Sequence, residues 1–266
     1  MPDLFAVEDL RLSLPDLTRK PLLGPAPRLE ILKGVTFAIR RGEVLGIVGG
    51  SGSGKTTLGR ALLRLLEPTG GRILFDGQDV THAPEASLRA FRRRAQMIFQ
   101  DPMSSLNPRH RVRTLIGGPL ALHGHADVDA KVDEALRQVG LAPHFRDRYP
   151  HELSGGQRQR VGIARAIALS PDFILADEIV SGLDVSSQAQ VLNLLERLVR
   201  ELGLTLAFIS HDLGVIRRLC SRTLVLHRGE IVENAPTDRL FADPQASYTR
   251  ELLAAIPLPD PDQAWS

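Results

Sequence analysis

The chain has 266 residues, 43% hydrophobic and 24% charged, with a net charge of +2 and one cysteine. That is ample for a large core in one or two domains. The charge is too small to argue for a nucleic-acid partner. No apolar run approaches the ~18 residues that cross a bilayer, Met1-Pro-Asp-Leu-Phe5 lacks the basic start and apolar stretch of a signal peptide, and Cys220, unable to form an internal disulfide, fits a reducing cytoplasm. The eight histidines include no pair at metal-site spacing with cysteine or acidic partners, which excludes a zinc centre.

In chain order, the N-terminal fifth reads as antiparallel strands. Leu4 to Leu14 alternates loosely, and Val35 to Ile39 and Glu43 to Val48 flank a turn at Arg40-Arg41-Gly42. Residues 15 to 29 hold four prolines and a glycine and read as a surface loop. After Lys55, apolar Leu58, Ala61, Leu62, Leu65 and Leu66 recur at helical spacing. A turn-and-strand unit follows at Gly70 to Gly77, and Gln96 to Gln100 reads as another strand. Arg92-Arg93-Arg94, just before it, reads as a solvated face. Asp127 to Val139 is an amphipathic helix stopped by Gly140, and a second helix begins at Ser154. Phe173 to Ala176 and Leu204 to Ile209 are wholly apolar, as in strands buried on both faces. A helix over Gln188 to Leu202 joins them as a crossover unit. Arg222 to Ala235 reads as a hairpin about Arg228-Gly229, and Pro257 to Ser266 as a loose end.

Gly49-Gly50-Ser51-Gly52-Ser53-Gly54-Lys55-Thr56 fits G-x-x-x-x-G-K-[ST] between a strand and a helix, the context this phosphate-binding loop requires. Its glycines let backbone N–H groups face a phosphate. Lys55 then neutralises β- and γ-phosphate charge and the Thr56 hydroxyl ligates Mg²⁺, with Thr57 counted among the nucleotide-binding residues of the loop. Asp177 ends a buried strand, where side chains reach the nucleotide crevice of open α/β sheets, and suits a water-mediated hold on Mg²⁺. Glu178 points differently and suits a general base that positions the attacking water. His211 follows the next buried strand and faces the same crevice, able to donate to the γ-phosphate and keep water and Glu178 in register. Ser154-Gly155-Gly156, starting a helix, forms a second anion-type site: a capping hydroxyl, bare N–H donors and a helix dipole.

The phosphate loop, then Leu153-Ser-Gly-Gly-Gln157, then Ile174-Leu-Ala-Asp177-Glu178, in this order, resemble the ATP-binding subunit of an ATP-binding cassette (ABC) transporter over nearly the whole chain. The resemblance implies an α/β fold: a P-loop NTPase core of the ABC ATPase type on a mixed, mainly parallel sheet, with an N-terminal antiparallel β subdomain and an inserted helical subdomain. By analogy residues 1–101 hold the β subdomain and the phosphate-loop part of the core, 102–161 the helical subdomain ending in the signature, 162–240 the remaining core, and 241–266 a C-terminal extension. It gives Gln100 the sensing of Mg²⁺ and water, with the loop Asp101 to Pro108 gripping a membrane subunit. It makes His211 the switch histidine and Asp184 part of the loop coupling two sites. It has Ser154, Gly155, Gly156 and Gln157 close the ATP site of a second ATPase subunit, identical or homologous, as an arginine finger does elsewhere.

Phe99 to Arg109 and Pro244 to Pro257 look like the corresponding stretches of oligopeptide, dipeptide and nickel importer ATPases. This implies integral membrane permease subunits, an indirect solute-binding protein, and a peripheral place on the cytoplasmic side of the inner membrane. A soluble ABC ATPase of a non-transport complex, such as phosphonate degradation, is the alternative; a P-loop kinase has no use for the second anion site. The chain departs from the family at Ile179, usually proline, at Gly182, usually alanine, and at Leu14, where an aromatic ring usually stacks on adenine. Either base selectivity is weaker here or another side chain supplies that contact.

Overall fold

The computed structural model describes residues 2–19, 24–100 and 105–255. Two sheets carry the described fold. One has four antiparallel strands in the order β2-β1-β4-β5: β1 is Asp3–Pro15, β2 Arg28–Arg40, β4 Gly70–Phe75 and β5 Gln78–Asp79. The other is six-stranded, β10-β9-β3-β8-β7-β6, with β3 Val44–Val48, β6 Ala95–Ile98, β7 Phe173–Asp177, β8 Thr205–Ile209, β9 Arg222–His227 and β10 Glu230–Pro236. All its pairings are parallel except the β9–β10 hairpin. The helices are α1 (Lys55–Leu62), α2 (Glu85–Arg94), α3 (Val112–Leu122), α4 (Val128–Gln138), α5 (Gly155–Ile167), α6 (Val185–Leu202), α7 (Leu213–Leu219), α8 (Thr237–Ala242) and α9 (Ser247–Ala254). The chain is α/β, and no described helix is long and apolar enough to cross a membrane.

The six-stranded sheet separates two cores. Along β7, Phe173 and Leu175 point toward the four-stranded sheet and α1, while Ile174 and Ala176 point toward α5 and α6. Burial on both faces is why this strand is apolar at every position but the last. Phe5, Phe75, Phe91 and Phe173 join the two sheets, with Phe5 centroids 4.9 Å from Phe75 and 4.8 Å from Phe173. Between β6 and β7 the chain inserts α3, α4 and α5, whose apolar stripes Val112, Ile116, Leu120, Val132, Leu136, Val161 and Ala164 are buried together.

Four readings need correction. Val35–Ile39 and Glu43–Val48 do not form a hairpin. The turn at Arg41-Gly42 exists, but β3 leaves the first sheet and lies parallel between β8 and β9, where both its faces are covered. The bidentate pair Arg222 Nε–Glu43 Oε1 (2.6 Å) and Nη2–Oε2 (2.8 Å) ties the starts of β3 and β9. Second, Leu65 and Leu66 do not extend the first helix. α1 ends at Leu62, Arg64 turns back with φ +52°, and Leu65 is exposed. Third, the crossover helix begins at Val185 rather than Gln188, because Asp184 caps it by accepting from Ser187 N–H at 2.9 Å. Fourth, the arginine run is not a uniformly solvated face: Arg94 donates to Asp172 (2.5 Å) and Asp76 (2.7 Å) and covers the Phe75 ring. The readings of Asp101 to Ser104 and of Pro257 to Ser266 lie outside the described residues.

Candidate functional site

The parallel pairing brings the carboxyl ends of four strands to one rim. Ile47 and Asp177 both pair with Ile209, and Ile98 pairs with Ala176. The residues just past these strand ends therefore emerge side by side: Gly49 after β3, Gln100 after β6, Glu178 after β7 and His211 after β8. Ligands of open parallel sheets bind at this rim.

The loop between β3 and α1 is shaped by its glycines. Gly49 has φ +151°, and a Cβ there would sit 2.1 Å from the Leu226 carbonyl of β9. Gly54, at φ +105°, is the left-handed residue from which α1 starts. The first N–H groups of α1 thus open toward the cleft, where the helix dipole favours an anion. Lys55 folds over the loop and donates to the Gly49 carbonyl at 2.8 Å and the Gly50 carbonyl at 3.0 Å. Burial pushes its ammonium below the usual lysine range, with Glu178 and Asp177 pulling the other way.

The Thr56 hydroxyl donates to Asp177 Oδ1 at 3.2 Å. Asp177 is 3% exposed, and burial holds its carboxyl above the ordinary range despite the Thr56 hydrogen bond. Glu178 turns away from it because its own backbone is left-handed, φ +49°, fixed by its N–H to the Ile209 carbonyl at 3.0 Å. An αL glutamate costs on the order of 1–3 kcal/mol and marks a position the surroundings over-determine. Gln100 Nε2 donates to Glu178 Oε2 at 2.9 Å, and His211 Nδ1 lies 3.7 Å from Oε1. Next to His211, Asp212 caps α7 by accepting from Gly214 N–H at 2.8 Å and Val215 N–H at 3.2 Å.

A cleft of about 520 Å³ lies over this loop, lined by Gly49, Gly50, Ser51, Gly52, Gly54, Lys55, Thr56, Thr57, Glu178 and His211. Ser53 lies beneath it, 5% exposed. Asp177 and Gln100 reach the site through Thr56 and Glu178. Ile31 and Leu252 supply apolar lining, whereas Leu14 packs against the N-terminal core opposite Leu29. Ile179 is buried at 1% exposure, and Gly182 has φ +75°.

The remaining sequence-selected residues gather elsewhere. Ser154, Gly155, Gly156, Gln157 and Asp184 line a separate cleft of about 590 Å³. Ser154 and Gln157 form a reciprocal cap, Gln157 N–H to Ser154 Oγ at 3.3 Å and Ser154 N–H to Gln157 Oε1 at 3.0 Å. Nothing lies within 4 Å of a Cβ built on Gly155 or Gly156, so that helix start is open outward.

Sequence reasoning missed Ile31 and Leu252 of the lining, and a residue that touches the loop from behind. Tyr248 of α9 accepts a hydrogen bond from Gly50 N–H at 2.8 Å across 198 positions. No local pattern carries such a contact.

The sequence profile of a family described as "ABC transporter" matches residues 32–181. A putative peptide import ATP-binding protein of Brucella ovis is 55% identical over 237 residues, covering 88% of this chain and 75% of that protein. An oligopeptide transport ATP-binding protein of Streptococcus mutans is 50% identical over 242 residues, covering 90% and 79%. Among solved structures, the dimeric post-hydrolysis ATP-binding cassette MJ0796 bound to ADP and Pi aligns with TM-score 0.76 at 28% identity, over 88% of this chain and 98% of that one. The cbiO1 protein of Clostridium perfringens, part of the ABC transporter complex cbiONQ, aligns with TM-score 0.77 at 28% identity over 97% of each chain.

Proposed function

The chain belongs to the ABC transporter family, and from that premise we propose that it is the ATP-hydrolysing subunit of an importer that takes up peptides. The observation that carries the reading is the pairing of the Lys55 loop with Glu178, braced by Gln100 and His211, at one sheet rim. Relatives named for peptide import and for oligopeptide transport, at 55% and 50% identity, supply the solute class, ahead of nickel or another small solute. They also favour transport over a soluble non-transport complex.

In this reading the loop from Gly49 to Thr57 cradles the ATP phosphates, and Lys55 moves from the loop carbonyls to the β- and γ-phosphate oxygens. The Thr56 hydroxyl, the Asp177 carboxylate and the Gln100 amide oxygen are hard oxygen donors of the kind Mg²⁺ takes, and the first two already meet at 3.2 Å. When bound, Mg²⁺ neutralises charge developing on the transferred phosphoryl group. Glu178 accepts the proton of the attacking water, Gln100 fixes one carboxylate oxygen, and His211 donates toward the γ-phosphate.

Ser154, Gly155, Gly156 and Gln157 act on the ATP of a second subunit, and Asp184 couples the two sites. The dimeric ADP-bound relative supports that arrangement, and the relative within a transporter complex supports integral membrane subunits as partners. A solute-binding protein completes the system indirectly. The chain then sits peripherally on the cytoplasmic side of the inner membrane. Its division is the one the resemblance implies, with 102–161 as the helical subdomain and 241–266 as an extension.

The test is reconstitution with integral membrane subunits of a peptide importer. Wild type should drive ATP-dependent peptide uptake into proteoliposomes and Lys55→Ala should not; uptake indifferent to Lys55→Ala sinks the reading.

A further inference from the structure

The carboxyl-terminal helix reaches the phosphate loop. Its start is fixed from β10, where the Glu233 carboxylate accepts the N–H groups of Gln245 and Ala246, each at 3.0 Å. Thr249 is fully buried, and Leu252 and Leu253 pack on the core. Tyr248 is thereby held against His227, ring centroids 3.8 Å apart, with its hydroxyl 2.8 Å from Gly50 N. Leu252, one helical turn on, joins the lining of the same cleft.

The Gly50 N–H and the Gly49 carbonyl belong to one planar peptide unit. Lys55 holds the carbonyl side at 2.8 Å, and Tyr248 holds the N–H side. Two adjacent glycines would otherwise leave this peptide free to rotate, because neither carries a Cβ to restrict it. Gripped at both edges, it keeps one orientation, and the lysine that reads the phosphates rests on that orientation. The room here is close: a Cβ on Gly50 would stand 2.9 Å from the Tyr248 hydroxyl.

We propose that Tyr248 is a positioning residue of the nucleotide site, pinning the Gly49–Gly50 peptide so that ATP affinity depends on the carboxyl-terminal helix. This rests on the reading of the cleft as an ATP site.

The test is binding of a fluorescent ATP analogue, with steady-state ATPase kinetics and melting temperature measured alongside. Tyr248→Phe keeps the ring on His227 and removes only the acceptor. Affinity should fall about fivefold, the scale of one hydrogen bond, with KM for ATP rising in step, kcat unchanged, and melting temperature lowered by no more than about 2–4 °C. Gly50→Ala should also weaken binding, by displacing the hydroxyl, and should cost little more when added to Tyr248→Phe. Wild-type affinity in Tyr248→Phe, a lower melting temperature without an affinity change, or additive effects in the double variant each overturn the proposal alone. A wild-type protein that binds no nucleotide overturns the ATP reading with it. Should Tyr248→Phe fold poorly, Gly50→Ala carries the test by itself: wild-type affinity there rejects the pin.

Discussion

Gln100 donates its side-chain amide to Oε2 of Glu178 at 2.9 Å, so the carboxylate is oriented from the loop after β6, 78 residues away in sequence. Its other oxygen faces His211, at 3.7 Å. Glu178→Gln should therefore keep ATP binding and lose turnover by about 10²–10⁴-fold, the usual loss on removing a general base. It should also accumulate an ATP-bound dimer on size exclusion. Wild-type phosphate release from this variant would reject Glu178 as the base.

Asp177 carries its charge in a buried place, and burial raises its carboxyl above the ordinary value. A raised acid in the folded state favours folding at low pH and loses that contribution as pH rises through the folded value. At neutral pH its ionised form is thus a strain on the ligand-free protein. Asp177→Asn should raise the ligand-free melting temperature, since the amide oxygen can still accept from Thr56 while the buried charge is gone. It should also abolish Mg²⁺-dependent hydrolysis. Calorimetry without nucleotide checks the first, a phosphate assay the second.

Gly49→Ala places a methyl group 2.1 Å from the Leu226 carbonyl, at a φ of +151° that side chains rarely adopt. Relief requires the loop to move off β9. Loss of nucleotide binding is expected, with destabilisation of about 1–3 kcal/mol by denaturant unfolding. Equal ATP affinity in the variant would mean the loop need not keep this path.

Glu43 is held below its ordinary value of 4.5: burial pushes it up, and the Arg222 hydrogen bonds, the Arg40 N–H and the charges of both arginines together outweigh that. A depressed acid stabilises above the unfolded value and loses that contribution as pH falls through the folded one. Stability should decline below about pH 4.5 in wild type, and that decline should flatten in Glu43→Gln. At neutral pH the variant should lose about 3 kcal/mol, since Arg222 keeps the Ala38 carbonyl and Asn234 as partners. Urea titrations at several pH values measure both.

The chemistry of the first cleft was legible because it is local. A glycine run ending in Lys55-Thr56, or an acidic pair ending an apolar strand, declares itself within eight residues. The partnership of β3 was not, since Ile47 finds Ile209 and Val48 finds Val225 far along the chain. A short apolar run looks alike in a hairpin and in a parallel sheet. Leu65 and Leu66 misled for a related reason: helical spacing persists in sequence past the point where Arg64 breaks the backbone. The left-handed turn at Glu178 left no compositional trace, glutamate having no preference for it.

Lys55, 8% exposed, has already shed most of its hydration onto two peptide carbonyls. A newcomer must outcompete those oxygens rather than bulk water. A polyanion offering several charged oxygens is suited to that exchange, because hydrogen bonds to ionised acceptors are the stronger ones.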